Sequence, residues 1–198
     1  MVGRHPLTVS SAELAPPLRP RYASAARVAA RYAPRVISPD HHLTDPTTGL
    51  YEWSVERVRA AWVRSTSELD EALLAGGVSK VVLMVGIPAS GKTTWLSRNA
   101  EPGVVYFDAT FKDARARRPI VAVARRYGVP VEAVVMATPL DEAIRRNETR
   151  TPDRRVPEEV LRRMYRDLTG GGMPTVGEGF RRVVLVRPQN GQRDDSSH

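Results

Sequence analysis

Val81-Val82-Leu83-Met84-Val85-Gly86-Ile87-Pro88-Ala89-Ser90-Gly91-Lys92-Thr93-Thr94 is the stretch whose reading decides the fold. Five apolar, mostly β-branched residues predict a buried strand. The strand runs into the spacing G-x-x-x-x-G-K-[ST], the phosphate-binding loop known as Walker A. Each residue type has a physical reason. Gly86 and Gly91 let the backbone turn tightly, so that the N–H groups of Ala89, Ser90, Gly91 and Thr94 can approach phosphate oxygens. Lys92 supplies a point charge for the outer phosphates, and the Thr93 hydroxyl can ligate Mg2+. A helix opening near Lys92 would turn its positive end toward the same anion. A nucleoside triphosphate, ATP, and Mg2+ are the expected cofactors.

Outward from this loop, apolar strands alternate with helical patterns. Strands are expected over 35–37, 81–85, 103–107, 131–137 and 183–186, and helices over 51–74, 93–99, 112–127, 140–147 and 157–168. The run Ser65-Thr66-Ser67 suggests a break in the first of these helices, and Gly170-Gly171-Gly172 a flexible interruption after the last. Alternation of this kind predicts an α/β fold: a three-layer sandwich around a mostly parallel sheet of about five strands. The segment 149–155 is a polar, Arg-rich interruption between two helices.

Residues 1–34 are rich in Pro and Arg and read as a basic, mobile arm, with a short helix over 22–32. Residues 35–187 then form one domain and 188–198 a polar tail. With 30 Lys+Arg against 22 Asp+Glu, the net charge of +8 favours a polyanionic partner, nucleic acid first. Arg-rich composition alone also produces such a balance. The absence of Cys excludes disulfides and thiolate metal sites. No apolar run is long enough to span a bilayer, and the first eleven residues carry no signal-peptide core. A cytoplasmic enzyme without membrane contact is the simplest reading.

Three groups outside the loop bear on chemistry. Asp40 follows the strand 35–37, at the sheet end where ligands gather in open α/β folds, and is suited to accept a proton. Asp108 ends the strand 103–107 and is suited to a metal or to orienting an arginine. Arg145, Arg146 and Arg150 present planar guanidinium groups that match a phosphoryl group in transfer.

Gly86 to Trp95 resembles the phosphate loop of phage-type polynucleotide 5′-hydroxyl kinases and related small P-loop kinases. Val105-Tyr106-Phe107-Asp108-Ala109-Thr110, followed by Arg115 to Arg118, resembles their central strand. Residues 139–150 and 156–165 resemble their lid, and Pro174 with Glu178-Gly179-Phe180 their closing segment. In that family an acceptor strand carrying D-x-x-R follows the phosphate-loop helix. Here Asn99 runs almost directly into Gly103, and the matching pieces, Val36-Ile37-Ser38-Pro39-Asp40 and the helix 51–74, precede the loop. The resemblance therefore implies a circular permutation, with the acceptor strand and helix (35–77) moved in front of 78–187. It implies Lys92 and Thr93 on phosphate and Mg2+, Asp40 as general base, Asp108 as the acidic residue of the central strand, and Arg150 with Arg146 on the donor phosphates.

One position departs from the family: Leu43 stands where its acceptor-gripping arginine would fall. Arg35, Arg115 or Arg118 would have to substitute, or the acceptor differs. The expected activity is transfer of the γ-phosphoryl group of ATP to a nucleic-acid hydroxyl, the 5′ end first. The alternatives are the same chemistry on a hydroxymethylated base or a small molecule, and a nucleotide-binding regulatory ATPase.

Overall fold

The computed structural model describes residues 33–187. Five strands form one parallel sheet: β1 Arg35–Ile37, β2 Lys80–Val85, β3 Val104–Asp108, β4 Val131–Met136 and β5 Arg182–Val186, in the order β1-β3-β2-β4-β5. Five helices connect them: α1 Val55–Leu74, α2 Lys92–Asn99, α3 Ala114–Arg126, α4 Leu140–Glu148 and α5 Glu158–Asp167. The expected arm of 1–34 lies outside the described residues except for its last two, as do the helix over 22–32 and the tail.

The period-two alternation of β2 sorts the core into two layers. Val81, Leu83 and Val85 face one cluster, with Val105, Phe107 and Ile37 from the neighbouring strands and Leu69, Leu73, Ile120 and Ala124 from α1 and α3. Val82 and Met84 face the other, with Tyr106, Val134, Met136 and Leu96 of α2. Both faces being covered, the strands read as continuous apolar runs, which is why they were legible.

On the larger face Trp62 of α1 stacks on Phe107 at 5.8 Å, and Trp62, Phe107 and Phe111 close an aromatic triangle with the remaining centroids 5.6 Å apart. This triangle fixes α1 against the carboxyl end of β3. Such pairs contribute about 0.5–1.5 kcal/mol each beyond their area.

Three local expectations change. The helix begins at Val55 rather than 51, because the Ser54 side chain caps it, accepting the Arg57 N–H at 3.1 Å. Ser65-Thr66-Ser67 does not break it: Ser65 is buried and the Thr66 hydroxyl donates to the Trp62 carbonyl at 2.8 Å, four residues back. Gly170 and Gly171 leave helical geometry and are exposed, as an interruption should be, but Gly172 is buried in the turn that closes α5. A Cβ on Gly172 would stand 2.0 Å from the Lys112 carbonyl oxygen, so only glycine fits there.

Candidate functional site

Parallel pairing brings the carboxyl ends of β1, β2 and β3 to one edge. Met84 is in register with Asp108, and Ile37 with Phe107. The phosphate loop leaves β2 two residues beyond Met84, and its first N–H, that of Gly86, donates to the Thr110 carbonyl at 3.3 Å. Beyond Ile37, Pro39–His42 form one 3-10 turn whose N-cap Ser38 accepts from the Asp40 N–H at 3.3 Å. Asp40, Lys92 and Asp108 are thus delivered to one place by three adjacent strands.

The loop has the conformation its glycines allow. Gly91 caps α2 with φ +93°, and Ala89 also lies in the left-handed region at φ +61°, where a side chain costs about 1–2 kcal/mol. Strain of this kind gathers where backbone is held for a ligand. A Cβ on Gly86 would meet the Ser90 hydroxyl at 2.6 Å, so the loop closes on itself only because residue 86 has none. Lys92 Nζ donates to the Gly86 and Ile87 carbonyls at 2.9 and 3.2 Å and lies 3.9 Å from Asp108. Thr93 and Thr94 are exposed in the first turn of α2.

The electrostatics bind these groups into one cluster. Burial pulls the Lys92 ammonium below the ordinary lysine range; the Asp108 and then the Asp40 charge draw it back up, and Arg150 pushes it down. Burial raises the Asp108 carboxyl above its ordinary value, against the pull of Lys92, and Asp40 adds to the rise. The Tyr51 phenol is pushed up to about 12, by burial first and then by the Asp40 carboxylate facing it, so Tyr51 remains a donor at neutral pH. Asp108 Oδ1 and the Ser90 hydroxyl are buried without a hydrogen-bond partner. Orphaned buried acceptors of this kind are unfavourable unless a ligand meets them.

The lid lies over the same edge. Arg146 of α4 reaches the loop: a Cβ on Gly91 would stand 3.3 Å from its Nη1. Arg150 is half-buried, donates to the Arg154 carbonyl at 3.3 Å, and its charge reaches both Lys92 and Tyr51. Arg154 crosses to the other wall, where its guanidinium sits 5.5 Å above the Tyr51 ring and its Nη2 donates to the Thr44 hydroxyl at 3.3 Å. The expected site residues Asp40, Lys92, Asp108, Arg146 and Arg150 are therefore brought together with the loop.

Leu43, by contrast, is buried in the core, and Arg35, Arg115 and Arg118 are exposed. His42 is paired with Glu68 at 3.1 Å. Among the described residues no group of three or more His, Asp and Glu side chains could hold a metal by itself.

Several functional supports escaped sequence reasoning. The Thr138 hydroxyl, beyond β4, donates to the Ser90 carbonyl at 2.7 Å and braces the loop. Asn147 clasps the lid, with its side chain bonded to the Val156 carbonyl at 2.7 Å and accepting the Val156 N–H at 3.0 Å. Arg117 is fully buried. Its Nε and Nη2 each meet Glu178 at 2.8 Å, and its Nη1 meets the Phe111 and Gly172 carbonyls at 2.8 and 2.7 Å. A signal for Arg117 existed: it shares a helical face with Ile120, Val121 and Ala124, all buried.

A family model described as AAA domain matches residues 98–170, which begin past the phosphate loop and end after the lid. No curated protein matches the chain. Among solved structures, a chain of the AvrRxo1-ORF1:AvrRxo1-ORF2 complex is similar at 14% identity and a TM-score of 0.42 with sulphate ions, and 0.40 with ATP. In the sulphate structure the match covers 59% of this chain and 57% of that one. The tunicamycin resistance protein of Deinococcus radiodurans is similar at 14% identity and a TM-score of 0.40, covering 76% of this chain and 75% of its own. Among the described residues no helix is long and apolar enough to cross a membrane. The five-strand parallel sheet, with a strand-to-loop-to-helix unit of Walker A spacing at its centre, makes this an α/β fold of the phosphate-loop type.

Proposed function

We propose that this protein is an ATP-dependent phosphotransferase that moves the γ-phosphoryl group to a hydroxyl of a nucleic acid, the 5′ end of a strand first. The observation that carries the reading is the convergence of Lys92, Asp108 and Asp40 at the ends of three adjacent strands, under lid arginines whose charge reaches the same point. The loop N–H groups, Lys92 and the α2 terminus would hold the β- and γ-phosphates. Arg146 and Arg150 would stabilise the charge that develops on the transferring group. Asp40, exposed on the open side, takes the proton of the acceptor hydroxyl. The acceptor oxygen forms its bond to the γ-phosphorus as the bond to the β–γ bridging oxygen breaks, and ADP leaves.

Mg2+ fits the donor side. Asp108 offers a buried oxygen without a hydrogen-bond partner, and Thr93 an exposed hydroxyl one residue after Lys92. When bound, the ion would neutralise phosphate charge.

The permuted chain order is part of this proposal. It is supported by β1 lying beside β3, where a strand inserted between α2 and β3 would lie. The buried Leu43 favours a second reading, in which a hydroxymethylated base or a small molecule is the acceptor.

The test is transfer of labelled γ-phosphate to a single-stranded 5′-hydroxyl oligonucleotide, against the same strand already 5′-phosphorylated. Label only on the 5′-hydroxyl strand is expected. Label on both would indicate an internal hydroxyl, and none on either would move the reading to the second class of acceptor.

A pH effect follows from the Lys92 environment. Asp108 is the strongest of the groups drawing the buried ammonium up, so Asp108→Asn lets it deprotonate at lower pH. ATP affinity, measured by calorimetry from about pH 7 to pH 10, is expected to fall off at lower pH in the variant than in the parent. An unmoved alkaline limb would contradict the coupling.

A further inference from the structure

α4 carries three charged residues whose spacing makes them one device. Glu142 sits in the first turn, where the helix end favours a carboxylate. Arg145 and Arg146 lie three and four residues on, the two positions whose side chains return to the same face as residue 142. The carboxylate takes both: Arg145 Nε donates to Oε2 at 3.0 Å and Arg146 Nε to Oε1 at 2.5 Å. Arg145 then points outward, its side chain 72% exposed, whereas Arg146 is 37% exposed and Glu142 only 19%. Arg146 therefore has its Nε anchored and its Nη1 edge turned to the phosphate loop, 3.3 Å from the Cβ position of Gly91.

We infer that Glu142 is a positioning residue. It fixes the Arg146 guanidinium over the N-terminus of α2 before nucleotide arrives, so that Arg146 meets a phosphate oxygen without first losing the freedom of its long side chain. This rests on the reading of Arg146 as a nucleotide contact. The chemistry is that of preorganisation. An exposed arginine samples many rotamers, and immobilising it on binding opposes affinity; a carboxylate one turn away holds one rotamer in advance. A fixed guanidinium also presents two parallel N–H groups in the plane a phosphate needs. The alternative for the same contact is competition, in which Glu142 screens Arg146 from the nucleotide. The two differ in sign. Positioning predicts weaker nucleotide binding without Glu142, and competition predicts tighter.

The experiment is a double-mutant cycle on the full chain, reading the affinity for ATP with Mg2+ by titration calorimetry, with thermal melting as the control for folding. Arg146→Ala is expected to weaken binding about tenfold or more, the scale of a lost charge-assisted contact. Glu142→Ala is expected to weaken it about three- to tenfold in the parent and by less than about twofold in the Arg146→Ala background. Glu142→Gln, which keeps an acceptor oxygen at nearly the same shape, should recover part of the loss. Melting should scarcely move, because these are surface pairs.

Equal losses in both backgrounds would show that Glu142 acts independently of Arg146 and overturn the inference. So would unchanged or tighter binding in Glu142→Ala. If Arg146→Ala itself binds ATP like the parent, the placement of Arg146 on the nucleotide is wrong and the role of Glu142 falls with it. That outcome is distinct from the failure of Glu142 alone.

Discussion

Asp40→Asn is expected to lower phosphoryl transfer by about 10²–10⁴-fold, the range for loss of a positioned general base, while ATP affinity stays within about twofold. The two carboxylates of the site are not equivalent. Asp108 is buried, its charge opposed by its surroundings and set against Lys92 at 3.9 Å, as suits a group facing phosphate or a cation. Asp40 is exposed at the mouth, beyond the last residue of β1, where an acceptor can reach it. Asparagine preserves the shape and the 3-10 turn, whose cap uses the backbone N–H of residue 40 and not its side chain. What it removes is the proton acceptor. Labelled transfer and ATP calorimetry on the same preparation decide the matter. Retained transfer would remove Asp40 from the mechanism, and lost ATP binding would make it part of the donor site.

Arg117→Ala is expected to cost about 3–5 kcal/mol of unfolding free energy, the scale for breaking a buried ion pair from one side. The guanidinium spends four bonds on three segments: the Glu178 carboxylate, the Phe111 carbonyl and the Gly172 carbonyl. Without it the Phe111 and Gly172 carbonyls lose their donor and the half-buried Glu178 carboxylate loses its counter-charge. Glu178 in turn accepts the Thr175 N–H at 3.0 Å, so the turn preceding β5 loosens as well. Thermal melting should fall by roughly 6–20 °C for a domain of this size. Loss of less than about 1 kcal/mol would mean that water repairs the gap. Activity should suffer beyond stability, because Phe111 is held at φ +49°, an unfavourable backbone for a phenylalanine, by the same bond. Released, it would let the turn after Asp108 relax.

These two residues divide what the sequence could and could not reveal. The place of Asp40 was legible because a strand end is a local pattern: two β-branched apolar residues, a serine, a proline, an acid. The phosphate loop was legible for the same reason, every role falling within nine residues. For Arg117 the helical period marks only an inward face; its partner Glu178 lies 61 residues away. Arg154 and Thr44 meet across 110 residues, and Thr138 reaches Ser90 across 48. No period or spacing encodes such contacts. Strand boundaries were recovered to within a residue because both sheet faces are covered, whereas the start of α1 was set by a single serine cap. Leu43 is the instructive mismatch. Its side chain is buried just beyond the turn that carries Asp40, so that position serves packing.

β1 is three residues long and hydrogen-bonded to β3 alone. A short edge strand opens at lower free energy than β2, the central strand from which the phosphate loop leaves. The two halves of the site therefore have different local stabilities. On warming, amide protons of residues 35–37 should exchange well before those of 81–85, and acceptor chemistry should fade while the nucleotide cradle stays folded. On the proposed function, nucleotide binding would then outlast phosphoryl transfer on heating.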